Sequence, residues 1–199
     1  MSEGQARAYG GVAVEERRAR RRSALFDAAL DLLASDGAGA VTKRAVCQRA
    51  RLNDRYFYEH FADRDALLEA LAGEITAQGI VVVVAAVHAA GPNISERVRA
   101  AADAAIGFVV SDPRYSALLL QGHSAEPLQK ARLAAQHAIA QAMVAVAGSS
   151  APQDADMVAY TVVSGLLELV AAWIRGEFAA SRSRVTDLVA RLLLSSTGG

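Results

Sequence analysis

The sequence predicts an all-α protein in two parts, a head of short helices followed by a larger helical bundle. Three observations carry this. The composition is 53% hydrophobic but only 6% aromatic, Ala, Val and Leu dominate, and four prolines interrupt 199 residues. Ala and Leu are good helix formers, and proline is the strongest breaker. Apolar residues then recur at i, i+3, i+4 and i+7 through most of the chain, the period of an amphipathic helix. Finally, Thr42 to Phe61 reads as two short helices joined by a tight turn, with basic and aromatic side chains crowded on the second.

Residues 1–14 are small and unpatterned and are expected to form a disordered tail. Glu15 to Arg22 is a charge run, read either as a solvated helix start or as a basic arm near DNA phosphates. Leu25, Phe26, Ala29, Leu32 and Leu33 form one apolar face, so the first helix spans roughly 18–35, and Gly37 suits the position after its end. Thr42 stands where an N-cap belongs. A short second helix follows it. Arg51-Leu52-Asn53 is the turn, with Leu52 as its buried plug and Asn53 as cap of a third helix over Asp54 to His60. Phe57 and Phe61, four apart, should enter the core of this head, which leaves Arg55, Tyr56 and Tyr58 on other faces.

Asp63 can cap a long helix running to about Ala89. Its Ile80 to Val87 segment is β-branched but has no partner strand, so it is expected to be helical, apolar all round and buried. Gly91-Pro92-Asn93 breaks the chain, and Ser95 should cap the next helix. Asp112-Pro113 opens a short helix ending near Gly122, and Glu126-Pro127 opens one ending at Gly148. A Ser/Pro/Gly loop covers 148–153. Met157 to Ile174 is apolar on two sides, hence buried on both. After Gly176, Ser181 or Ser183 caps a last helix with Val185, Leu188, Val189, Leu192 and Leu193 on one stripe.

Net charge is zero but unevenly placed: residues 1–64 carry 12 Lys/Arg against 9 Asp/Glu, and 65–199 carry 9 against 12. A basic head on an acidic remainder suits a local polyanion contact. Cys47 is the single cysteine, so no intramolecular disulfide is available. The N-terminal residues are polar and Arg-rich, without the apolar core of a signal peptide, and Ile80 to Val87 is far short of the ~20 residues of a membrane span. A cytoplasmic protein with no membrane partner is the expectation.

Catalytic patterns are absent. His60, His88, His123 and His137 form no i, i+4 pair, Cys47 has no thiol partner, and no phosphate-binding Gly-rich loop or Gly-x-Ser-x-Gly elbow occurs. No enzyme, no metal and no cofactor are expected. DNA binding asks for other things: a short helix that fits a major groove about 12 Å wide, flanked by phosphate contacts that set its register. Residues 42–64 offer both. Thr42 and Lys43 head a helix whose amides favour an anion, and Arg44 can reach a base edge or a phosphate. Arg55 and Tyr56, near the start of the third helix, are best placed for base edges; Tyr58, His60 and Arg64 suit phosphate oxygens, and Asn53 is a further DNA-binding candidate.

The head resembles the TetR family of bacterial regulators. The residues that carry the resemblance are Ala28-Ala29-Leu30-x-Leu32-Leu33 before Asp36-Gly37, then Thr42, then Tyr58-x-His60-Phe61-x-x-Arg64-x-Ala66-Leu67-Leu68. The strong match covers about 18–71, and the C-terminal part matches more loosely through its length, its helix count and the ending from Leu166 onward. The resemblance implies a homeodomain-like three-helix DNA-binding domain over 15–72 and a helical regulatory, ligand-binding and dimerisation domain over 73–199. It implies a ligand-responsive repressor that binds a palindromic double-stranded DNA operator as a homodimer. It also implies phosphate contacts from Thr42, Tyr58, His60 and Arg64 and base contacts from Arg44, Arg55 and Tyr56. The chain departs from the family pattern at Arg51, where the turn usually holds Gly, and at Tyr56, usually a small residue; Asp54 and Glu59 add negative charge near DNA.

For an unidentified small-molecule effector, the polar and aromatic residues set among Ala, Val and Leu are the candidates: Phe108, Tyr115, Gln121, His123, His137, Met143, Tyr160, Glu168 and Trp173. For the dimer face they are Val158, Val162, Gly165, Leu169, Leu188 and Leu192, with Trp173 as an alternative member. The rival reading is a helical small-molecule-binding or adaptor protein without DNA binding.

Overall fold

A computed structural model describes residues 3–147 and 154–197, with side chains described over 14–145 and 154–195. The described residues form α-helices only, apart from a 3-10 turn at Ala38–Ala40. They divide into two units, one ending at Leu68 and one starting at Glu69. The expected boundary was 72/73.

The first unit holds α1 (Glu3–Asp36), α2 (Lys43–Ala50), α3 (Asp54–Tyr58) and the start of α4 (Arg64–Ala89). The segment expected as a tail over 1–14 is helical from Glu3 on, as an upstream continuation of α1 that no proline interrupts. Leu25, Ala29, Leu33, Val41, Val46, Phe57, Leu67 and Leu68 are fully buried in this unit. Phe61 joins them, 5.4 Å from the Phe26 ring and 5.8 Å from Phe57. Gly37 has φ 82°, a backbone that Cβ would oppose, and its N–H bonds Leu33 O at 3.1 Å to close α1. Thr42 caps α2 by accepting from Ala45 N, and Asn53 caps α3 by accepting from Tyr56 N.

The second unit holds the rest of α4, then α5 (Ile94–Ser111), α6 (Pro113–Leu120), α7 (Glu126–Ala147), α8 (Ala155–Ile174) and α9 (Arg182–Thr197). Asn93, not Ser95, caps α5: its Oδ1 accepts from Ser95 N at 2.9 Å and Glu96 N at 3.2 Å. An Asn one residue before the helix reaches those free amides, whereas Ser95 already lies inside the first turn. One core joins α5, α8 and α9 through Ala102, Ile106, Val170, Val185, Val189 and Ala190. A second joins α7 and α8 through Ala140, Ala159 and Val163. Arg182 fastens α9 to α5 by bonding Asp103 Oδ1 at 2.8 Å and Asp103 O at 3.2 Å, and Arg99 pairs with Asp187. The loop expected over 148–153 lies outside the described residues.

The Ile80 to Val87 segment is helical, but it is not buried all round: Val81 and Val82 are exposed, while Val83 and Val84 are half-buried. Arg64–Ala89 and Ala155–Ile174 are long and apolar enough to cross a membrane by length and composition, with mean hydropathy 1.9 and 1.8. In α8 that apolarity serves packing, because both cores of the unit draw on it.

Candidate functional site

The short α3 is positioned from both sides. On one side the turn after α2 is closed by Arg51, whose φ of 55° and ψ of 39° are left-handed, and by Leu52 N bonding Cys47 O at 2.9 Å. Leu52 is half-buried rather than a fully buried plug. On the other side α1 holds α3 by its arginines. Arg21 lies 4.6 Å from the centre of the Tyr56 ring and bonds Glu59 at 3.3 Å, and Arg18 reaches Glu59 O at 3.5 Å. Two of the charge-run arginines therefore position α3 as well as adding charge.

The two acids that stood out in the sequence organise the bases around them. Asp54 bonds Lys43 at 2.5 Å and Glu59 pairs with Arg21 and with Arg55. Lys43 also reaches the Tyr58 hydroxyl at 3.3 Å and lies over its ring. The hydrogen bonds it donates to Asp54 and Tyr58 hold the Lys43 ammonium above its ordinary pKa. Lys43, Asp54 and Tyr58 thus form one cluster joining α2 to α3.

The DNA-contact candidates differ in how free they are. Arg44, Arg55 and Tyr58 are exposed, and Thr42 and Asn53 are exposed with their side-chain oxygens engaged as caps. Tyr56 is half-buried beneath Arg21. Arg64 is engaged in structure: its guanidinium bonds Val41 O at 2.6 Å, Ala38 O at 2.8 Å and Asp65 at 3.2 Å. It closes the α1–α2 linker, bonding Val41 O and sharing Ala38 O with the Val41 N–H. His60 is half-buried with its Nε2 atom enclosed and unbonded, and burial first, then Arg18 and Arg21, push its pKa down. Cys47 is buried, which raises its thiol pKa and keeps it unreactive.

The second unit contains a cavity of about 850 Å³ walled by α4, α5, α6, α7 and α8 with the end of α9. Phe108, Tyr115 and Met143 line it, with Phe108 and Tyr115 stacked 5.1 Å apart. The other six effector candidates are placed elsewhere. Trp173 donates its Nε1–H to Ala180 O at 2.8 Å and packs on the α5–α8–α9 core. Tyr160 lies tilted against the exposed His137, with ring centres 4.6 Å apart. Glu168 pairs with Arg175 at 3.2 Å and faces His123 at 3.9 Å, both at the surface. Gln121 is half-buried but outside the lining. The cavity is instead mostly aliphatic, with Arg97 and Arg132 as its charged members, neither of them a sequence candidate. Long arginine stems pack on apolar walls, so their spacing along a helix looks like that of solvated residues.

Of the dimer candidates, Val158 lines the cavity and is partly exposed. Gly165 is exposed with open space where a Cβ would stand, and Val162 is half-buried. Leu169 packs on the α5–α8–α9 core, whereas Leu188 and Leu192 are exposed. Among the described residues no group of three or more His, Cys, Asp or Glu is arranged to hold a metal ion.

These features define a class: a helix-turn-helix protein with an all-helical companion unit around an apolar cavity. Residues 25–71 match the family described as bacterial regulatory proteins, tetR family. The similarity to that family lies in this N-terminal stretch. Solved structures share the fold over nearly the whole chain. A TetR-family transcriptional regulator from Syntrophomonas wolfei str. Goettingen has TM-score 0.73 at 13% identity, covering 90% of this chain and 95% of its own. One from Rhodococcus sp. has TM-score 0.70 at 20% identity, covering 90% and 100%. The regulator FadR from Bacillus subtilis, solved in complex with stearoyl-CoA, has TM-score 0.63 at 16% identity, covering 87% and 98%. No curated protein sequence matches the chain.

Proposed function

We propose that this protein is a transcriptional repressor that binds a palindromic operator as a homodimer and leaves it when a small molecule fills the cavity. The observation that carries the DNA reading is the α2–turn–α3 unit, with Arg44, Arg55 and Tyr58 exposed on it, inside the stretch that matches the tetR family. In this reading Thr42, Lys43, Tyr58 and His60 bind phosphates, and Arg44, Asn53, Arg55 and Tyr56 face the bases. Arg64 acts at one remove, by fixing the α1–α2 linker. Two copies would read half-sites about 34–36 Å apart, one helical turn. One short helix makes too few contacts for specific affinity, so the pair is needed.

The exposed Leu188 and Leu192 on α9 and the open surface at Gly165 on α8 support a dimer face there. An apolar surface of this kind is stabilised by covering it. The 850 Å³ cavity supports ligand response, as does the description of the B. subtilis FadR structure as a stearoyl-CoA complex. A ligand that favours one arrangement of the two heads shifts the population away from the DNA-binding one. The site of action would be the cytoplasm, where operator DNA is reached.

Selection of bound duplexes from a randomised pool at low salt tests the reading. Enrichment of a two-fold symmetric sequence is expected. No enrichment with micromolar protein would favour the rival, a helical ligand-binding or adaptor protein without DNA binding.

A further inference from the structure

We propose that the cavity takes a long-chain amphiphile with an anionic head group, and that Arg132 is the residue that holds the head. This rests on the reading of the cavity as an effector site and names the chemistry of its occupant.

The shape of the site points to a long chain. Its wall includes Ala72 and Val87, both on α4 and fifteen residues apart. At 1.5 Å rise per residue they stand about 22 Å apart, a span that suits an extended hydrocarbon better than a compact ring system. The wall between is aliphatic, with Ile75, Val83, Ile106, Leu119 and Val163 among its members. Water entering such a site finds few hydrogen-bond partners, and an apolar chain recovers the contacts the wall otherwise lacks.

The charge of the site points to an anion. Arg97 and Arg132 line the cavity, and among the described residues no Asp or Glu does. Thr76 is already committed, its hydroxyl donating to Ala72 O at 2.8 Å. Arg132 is the more telling cation. Its Nε is enclosed by protein and has no hydrogen-bond partner. A buried donor on a charged group that makes no bond is costly, so the arrangement is incomplete as it stands. The stem of Arg132 is also seated: a Cβ at the buried Gly122 would stand 2.9 Å from Arg132 Cδ, so glycine there leaves room for it. A carboxylate or a phosphate matches the planar guanidinium with two parallel bonds, and a turn of the side chain that brings Nε to the cavity would satisfy that donor as well.

The test is calorimetric titration of the full chain, without DNA, using palmitate, hexadecyl phosphate and hexadecanol. Both anions are expected to bind at least tenfold more tightly than the alcohol. Shortening the chain should weaken binding by about tenfold per two carbons. If palmitate is the tighter anion the head is a carboxylate, and if hexadecyl phosphate is tighter it is a phosphate. In Arg132→Gln the preference for anion over alcohol should disappear while hexadecanol binding persists. In Arg97→Gln the preference should remain. Should Arg132→Gln fail to fold, Arg132→Lys, which keeps the charge but loses the fork, is expected to retain only part of the preference. Equal binding of alcohol and anions, binding of none of the three, or loss of preference in Arg97→Gln instead would overturn the proposal. The duplex selection is independent of these titrations, so failure of DNA binding and failure of this assignment are read separately.

Discussion

Arg51 is the described non-glycine residue with positive φ, and it closes the helix-turn-helix at φ 55° and ψ 39°. A Cβ in that region costs roughly 1–2 kcal/mol, part of which glycine gives back through its freer unfolded chain. Arg51→Gly is therefore expected to stabilise the chain by about 0.5–1 kcal/mol, measured by urea unfolding. Unchanged or lower stability would mean that the exposed Arg51 side chain contributes more than its backbone costs. Asp54 sits in the same turn region and neutralises Lys43 at 2.5 Å. If Lys43 contacts DNA as proposed, Asp54→Asn frees that cation and should tighten operator binding by about two- to fivefold, the range of an exposed ion pair. A weaker complex would show that Asp54 serves mainly to aim Lys43. His60 gives a pH dependence. Its folded pKa lies below the ordinary 6.5 because burial, Arg18 and Arg21 disfavour the charged imidazole. The unfolded chain then binds the proton more readily, so stability falls as pH drops below about 6.5 and is full above it. His60→Gln should flatten that slope in denaturant titrations run between pH 7 and pH 5.

At the scale of elements, α9 and α8 make separable predictions for the dimer. Leu192 is exposed and Leu169 is packed on the α5–α8–α9 core. Leu192→Glu should therefore yield a folded monomer by sedimentation, with its own unfolding midpoint little changed, since surface substitutions usually stay within about 0.5 kcal/mol. Leu169→Glu should unfold the unit. A dimer that survives Leu192→Glu would move the interface to another face. The elements also show where the sequence was legible. The caps at Thr42, Asn53, Asp63 and Asp112 are local: each accepts from an amide two or three residues on, and the sequence carries that information. Phe57 and Phe61 were placed in the core by their spacing alone. By contrast, Ile80 to Val87 was expected to be buried all round, and it is not. Periodicity reports how apolar each face is, but not what stands opposite it.

For the molecule as a whole, an occupant of the cavity should raise the melting temperature in a concentration-dependent way. At a hundred times its Kd a ligand adds about 2.7 kcal/mol to folded-state stability. Thermal denaturation with a bound amphiphile measures this, and a midpoint that does not move would indicate that no such ligand occupies the folded chain. The sequence by itself determined the all-α class, the helix-turn-helix at Thr42 to Phe61 and the likeness of the head to the tetR family, because caps, apolar spacing and turn chemistry act within a few residues. Only the tertiary structure decided the roles of particular side chains. Arg64 turned inward to Val41 and Ala38. Trp173 bonded Ala180 O, away from the cavity. Arg97 and Arg132, which no sequence pattern singled out, line an apolar cavity. These outcomes depend on residues distant along the chain or on how helices face one another, and no local pattern carries that.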